Sequence, residues 1–154
     1  MRHITRLALI AGSLLAAGAA VAATDTPVGR WKTIDDVTHQ AKSIVQITEE
    51  NGRLQGRIVE LLNRTPEDIA RDGEKPVCVS CEGSRKNQPI VGMTIMWDVR
   101  RDGDKWSGGR IMDPKNGKTY KVTLTLADGG RSLDVHGYIG FSLIGRTQTW
   151  QRVE

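Results

Sequence analysis

Trp106-Ser107-Gly108-Gly109-Arg110, Asp113-Pro114-Lys115-Asn116-Gly117-Lys118-Thr119-Tyr120, Gly137-Tyr138-Ile139-Gly140 and Gly145-Arg146-Thr147-Gln148-Thr149-Trp150-Gln151-Arg152 make up most of the second half of this chain. They are short β-like runs punctuated by tight-turn residues. Asn116-Gly117 and Asp128-Gly129-Gly130 are hairpin signals, because Asn and Gly tolerate the positive φ such turns require. Between them, Tyr120, Val122, Leu124 and Leu126 alternate with polar neighbours, the period of a half-buried strand.

Working outward, the same rhythm recurs. Met93, Ile95, Trp97 and Val99 alternate before the Asp102-Gly103 turn, and Trp106 to Met112 returns. Leu133, Val135 and Ile139 share a face, and Ile144 to Val153 forms the last strand. Toward the N-terminus, Gly29-Arg30-Trp31-Lys32-Thr33 and Lys42 to Thr48 read as strands. Asn51-Gly52 then turns the chain into Arg53 to Leu62. Eight strands joined mostly by hairpin turns predict an all-β, antiparallel, up-and-down barrel, since closure removes exposed sheet edges. Residues 63–89 break the rhythm as one irregular insertion. Thr65-Pro66-Glu67-Asp68 has the cap, first-turn proline and acids of a helix start, which predicts a short helix over 66–71.

The first 23 residues read as a secretory signal: Arg2 and Arg6, an apolar run from Leu7 to Val21, then small residues at the cleavage positions. The run is short and rich in Ala and Gly for a membrane span, and no Cys marks a lipoprotein. The expected mature protein, 24–154, is a single domain exported to the periplasm, with secretion as the alternative. Losing Arg2 and Arg6 leaves 20 Lys plus Arg against 18 Asp plus Glu, a net charge of +2 rather than +4. Scattered charge of that size gives no argument for nucleic acid. No transmembrane span is expected in the mature chain.

Taken together, the quoted motifs resemble the bacterial domain-of-unknown-function family 2147. Asp35-Asp36, Lys42-Ser43-Ile44-Val45 and Lys86-Asn87-Gln88-Pro89-Ile90-Val91-Gly92 fit it as well. The resemblance covers essentially the whole mature chain. It implies an exported, single-domain β protein and brings no catalytic residue or cofactor. A looser resemblance links Gly29 and Trp31, with Arg146 or Arg152, to lipocalin-like barrels. There, a basic residue of the last strand lies over the first-strand indole by cation–π contact.

Cys78 and Cys81 are the two cysteines. In an oxidising compartment they read first as a disulfide, closing a loop worth about 2 kcal/mol. A redox dithiol ranks second, because no helical pattern follows to lower a thiol pKa. Metal ranks last. Zinc needs about four ligands, and His39 and His136 lie on separate elements. Asp113 to Lys118 lacks the acidic series of a calcium loop and reads as a turn. No catalytic constellation and no cofactor site stands out.

Alternation puts Arg110 in register with Trp106 and Met112, and Arg146 and Gln148 with Trp150. If these faces point inward, then Trp31, Arg110, Arg146, Gln148 and Trp150 line a polar interior for an anionic or amphipathic ligand. The competing reading has the arginines cross-bracing a barrel filled by its own side chains. Three functional classes follow: a small-ligand or envelope-component binder; a structural or interaction module using the 63–89 insertion; and a thiol–disulfide protein using Cys78 and Cys81. The first leads, and an enzyme is the weaker expectation.

Overall fold

A computed structural model describes residues 25–153. Residues 1–23, expected to be a signal, lie outside them. The described chain is an antiparallel meander closed on itself. Its strands are β1 (Gly29–Ile34), β2 (Ala41–Glu50), β3 (Arg53–Leu61), β4 (Thr94–Asp102), β5 (Lys105–Ser107), β6 (Arg110–Met112), β7 (Thr119–Ala127), β8 (Ser132–Tyr138) and β9 (Gly145–Val153). β5 and β6 are two halves of one interrupted strand, both lying between β4 and β7. The barrel therefore has eight staves, and β1 pairs with both β2 and β9 to close it.

The interior is packed by alternate residues of every stave. Trp31, Val45, Ile47, Leu54, Met96, Val99, Val122, Leu124, Leu133 and Trp150 are all buried in one cluster. Burying each such large side chain contributes about 1.5–3 kcal/mol, so the core carries the fold. One end of the barrel, called the floor here, is sealed by Arg152. Its guanidinium donates to the carbonyls of Gly130, Val28 and Thr26 at 2.6, 2.9 and 2.8 Å and lies over the Trp31 ring. The indole N–H of Trp31 in turn donates to Pro27 O at 2.7 Å. The lipocalin-like seal thus uses Arg152. Arg146 sits at the opposite end, the mouth.

Two irregularities correct the alternation read from sequence. In β4, Leu54 pairs with Val99, Gly56 with Met96 and Arg57 with Thr94, so β4 carries an extra residue at each of two successive steps; Asp98 takes a φ of 59°. This double β-bulge turns Met96 inward and Trp97 outward. Met93, Ile95 and Val99 are buried as expected, but Trp97 is only partly buried. The second irregularity is Gly108-Gly109. Trp106 pairs with Leu124 and Arg110 with Lys121, again one residue out of step. Gly108 has a φ of 79°, and a Cβ on Gly109 would stand 2.3 Å from the Trp97 carbonyl oxygen. Only glycine lets β4 approach so closely. The slip puts Arg110 on the outer face, exposed, while Trp106 remains buried. Ile139 also departs from expectation: β8 ends at Tyr138, and Ile139 is exposed in the following loop.

The insertion holds helix α1 (Pro66–Asp72), capped by Thr65 in a reciprocal box with Asp68. Beyond it, Val77 bridges Pro89 and brings the Cys78–Cys81 disulfide to the tip of a small loop. That loop seats on the β6–β7 turn. Cys81 Sγ lies 3.7 Å from Met112 Sδ, and Cys78 Sγ lies 3.3 Å from the Pro114 carbonyl oxygen. A Cβ on Gly117 would collide with Ser80 O, so Gly117 serves both its turn and the docking of the loop.

Candidate functional site at the barrel mouth

The five sequence candidates do not form one site. Trp31 is fully buried at the floor and is structural. Arg110 is outside. Arg146, Gln148 and Trp150 share the inner face of β9, because Gly137, Val135 and Leu133 on β8 pair with them in that order. They climb from the packed core to the mouth: Trp150 is buried, Gln148 half-buried and Arg146 exposed.

A relay of hydrogen bonds joins them. The Trp150 indole N–H donates to Gln148 Oε1 at 3.2 Å. Gln148 Nε2 reaches Asp36 Oδ1 at 3.5 Å. Arg146 grips Asp36 through Nε and one terminal nitrogen, a bidentate pair. The Arg146 contact holds the Asp36 carboxyl below its ordinary pKa and raises that of the guanidinium. Both groups are therefore charged at neutral pH. Asp36 is placed by its neighbour Asp35, whose carboxylate accepts from the amides of Val37 and Thr38 and the Thr38 hydroxyl. Those bonds, led by the Thr38 amide, lower the Asp35 pKa as well. In the sequence, Asp35-Asp36 stood out only as part of the family resemblance, with no site role. The available clue was topological: closure puts β1 beside β9, so the loop leaving β1 must face the start of β9.

The other inward positions toward this end include small and polar residues. Thr33 and Ser43 are buried and share a hydrogen bond of 2.9 Å. Gly137 faces inward with no side chain, and a Cβ there would meet Tyr120 and Ile111 only at 3.7 and 3.8 Å. Tyr120 and Ile111 are themselves only partly buried. The barrel is filled up to Trp150; above it the inward positions Gly137, Tyr120 and Gln148 are only partly buried and Arg146 is exposed, and this less filled end is called the mouth cup here.

Two surface clefts lie elsewhere, around the β2–β3 turn. One of about 230 Å³ is lined by Asp25, Thr26, Glu49, Gly52, Leu54, Arg101 and Trp106. The other, about 310 Å³, is lined by Glu50, Asn51, Arg53, Gln55 and Asp98. Leu54 and Trp106 are only 1% and 6% exposed, so the first cleft presents little apolar surface to a ligand, and the second is lined by no apolar residue. The mouth cup is the better candidate.

The cysteines are oxidised and buried. His136 is on the outer face of β8, where its ring nitrogens lie 2.8 Å from Thr147 Oγ1 and from Ser142 O; it anchors the β8–β9 loop.

Residues 29–152 match the family described as an uncharacterized protein conserved in bacteria (DUF2147), and the chain belongs to that family. No curated protein matches it. Among solved structures, it is similar to a protein from the human pathogen Helicobacter pylori described as belonging to the lipocalin family. The TM-score is 0.70 at 19% identity, with 85% of each chain covered. A likeness at that identity concerns the lipocalin-like fold.

Proposed function

We propose that this protein is an exported, periplasmic binding barrel that takes the polar end of a small anionic or amphipathic ligand into its mouth cup. The observation that carries this reading is the change of lining along the barrel axis. Below Trp150 the interior is apolar and filled. Toward the mouth the inward positions turn small or polar: Gly137 has no side chain and pairs with Arg146, Gln148 follows on the same strand, and Tyr120 lies beside Gly137. Arg146 spends Nε and one terminal nitrogen on Asp36, which leaves the other terminal nitrogen to bind an acceptor on the ligand. Gln148 supplies an amide beside it. A filled lower barrel limits the guest to a small molecule or to the head of a larger envelope component.

The second reading, an interaction module, is favoured by one specific observation: the lower core has no space for a ligand, as the full burial of Trp31, Met96 and Leu124 shows. The thiol–disulfide reading has less support, because both sulfurs are buried and Cys78 lies on a β-bridge segment rather than at a helix start.

Amide chemical-shift mapping with decanoate as the probe tests the site. Binding in the cup shifts Gly137, Arg146 and Gln148 and the Trp150 indole resonance together, and Arg146→Ala weakens it. Shifts confined to Glu49, Gly52 and Trp106 would move the site to the cleft by the β2–β3 turn.

A further inference from the structure

The rim of the mouth is apolar. The loop between β8 and β9 presents Ile139, Phe141, Leu143 and Ile144, exposed to 66, 83, 96 and 72%. Val37, on the neighbouring β1–β2 loop beside Asp36, is 75% exposed. Water-exposed apolar side chains concentrated on one projecting rim mark a contact surface rather than ordinary surface scatter. The loop is also held in place: His136 takes Ser142 O at 2.8 Å, and Lys121 Nζ donates to Gly140 O at 3.4 Å.

Directly beneath the loop, on the outer face, runs a row of cations and aromatic rings. Trp97 pairs across the sheet with Arg110, Arg110 with Lys121, and Lys121 with Tyr138. Arg85 from the insertion lies over the Trp97 ring, 4.4 Å from its centroid. Among the described residues, the ion pairs involve Arg30, Arg53, Arg71, Arg131 and Arg146. Arg85, Arg110 and Lys121 thus carry uncompensated charge, arranged side by side at the base of the apolar loop.

From this juxtaposition we infer that the mouth rim docks peripherally on an anionic lipid bilayer. Ile139, Phe141, Leu143 and Ile144 enter the boundary between headgroups and acyl chains. Arg110 and Lys121, with Arg85 beside them, meet the lipid phosphates, and Tyr138 and Trp97 sit at headgroup level, where amphipathic rings are favoured. The shape selects a bilayer over a protein partner. A loop whose apolar side chains are exposed to between 66 and 96% needs a matching concavity on a protein, whereas a fluid bilayer needs none. The adjacent cations provide the charge complementarity. This inference stands on the rim and the outer face, and does not depend on a ligand in the cup.

The test is flotation of the protein with vesicles of phosphatidylethanolamine and phosphatidylglycerol, against vesicles of phosphatidylcholine alone. The wild type floats with the anionic vesicles, and less so at about 0.5 M salt, where charges are screened. Phe141→Ser with Leu143→Ser lowers partitioning by at least about tenfold. Arg110→Glu with Lys121→Glu removes the preference for anionic vesicles, at about fivefold or more per cation. Phe141 and Leu143 lie on the loop, Arg110 and Lys121 on the outer face of the barrel, and all four are exposed, so unchanged thermal melting serves as the folding control. In addition, Phe141→Trp should show blue-shifted emission with the anionic vesicles and quenching by brominated acyl chains. Absence of flotation, flotation indifferent to the loop variants, or a self-association that Phe141→Ser abolishes in the absence of lipid would each overturn the inference.

Discussion

The guanidinium carbon of Arg152, on the last strand, lies 4.2 Å from the ring centroid of Trp31, on the first. Arg152 and Trp31 are also direct cross-strand partners. This contact sits at the seam where the barrel closes. Arg152 has no carboxylate partner among the described residues; three carbonyls accept its donors, and burial lowers its pKa from the ordinary value. Arg152→Ala removes the cation–π contact and strands those carbonyls, and should cost about 2–4 kcal/mol. Urea denaturation measures it. A loss below about 0.5 kcal/mol would mean that the seam is held by its backbone ladder alone.

Gly29 is explained by the same seam. Its φ is 138°, and a Cβ there would stand 2.7 Å from an Arg152 terminal nitrogen. Gly29→Ala should destabilise by about 1–3 kcal/mol. In an Arg152→Ala background the collision is gone, so the penalty should shrink toward the backbone strain alone. Full additivity in the double mutant would separate the two residues.

Leu124 faces the core with no exposure, and Thr123 faces out. Leu124→Ala should cost roughly 2–5 kcal/mol, and Thr123→Ala about 0.5 kcal/mol or less. Equal losses would contradict the register of β7.

Gly109→Ala should be among the most damaging single substitutions, at about 3 kcal/mol or more, because the new methyl meets the backbone of β4. Thermal melting detects it. A benign Gly109→Ala would mean that the bulge does not hold Arg110 outward.

These glycines mark the limit of what the sequence conveys. The stave count, the turns, the capped helix and the pairing of the two ends were legible, because hairpin turns and period-two burial leave direct traces. Trp97 and Arg110 were misplaced because strict alternation presumes an unbroken ladder. A one-residue bulge, at Asp98 or at Gly108-Gly109, reverses every side chain beyond it. In the site, Arg146, Gln148 and Trp150 were placed on one face by β9 alone. Asp36 was not, because its role depends on a neighbour more than a hundred residues away. Ile139 read as core because apolar residues inside and at an exposed rim look alike in one dimension.

Acid should loosen two contacts. The Thr65 amide, followed by Arg71, lowers the Asp68 carboxyl from 3.8 to about 2, and Arg146 lowers that of Asp36. For a depressed acid the stabilisation is fully present above the unfolded pKa and is lost as pH falls through the folded one. The cap of α1 should therefore fray between about pH 4 and 2. The Thr65 amide resonance reports it; a midpoint near 4 would deny the capping bond.

The central claim is that the mouth cup holds a small ligand, and native mass spectrometry of protein taken from the periplasmic fraction addresses it most directly. Two proteins are compared, the wild type and Gly137→Val, whose new side chain occupies the cup at a position where a Cβ meets only ordinary contacts. The account predicts a co-purifying small-molecule mass on the wild type that Gly137→Val loses while its melting temperature is retained. A bare wild-type mass, or an adduct that Gly137→Val keeps in full, would contradict it.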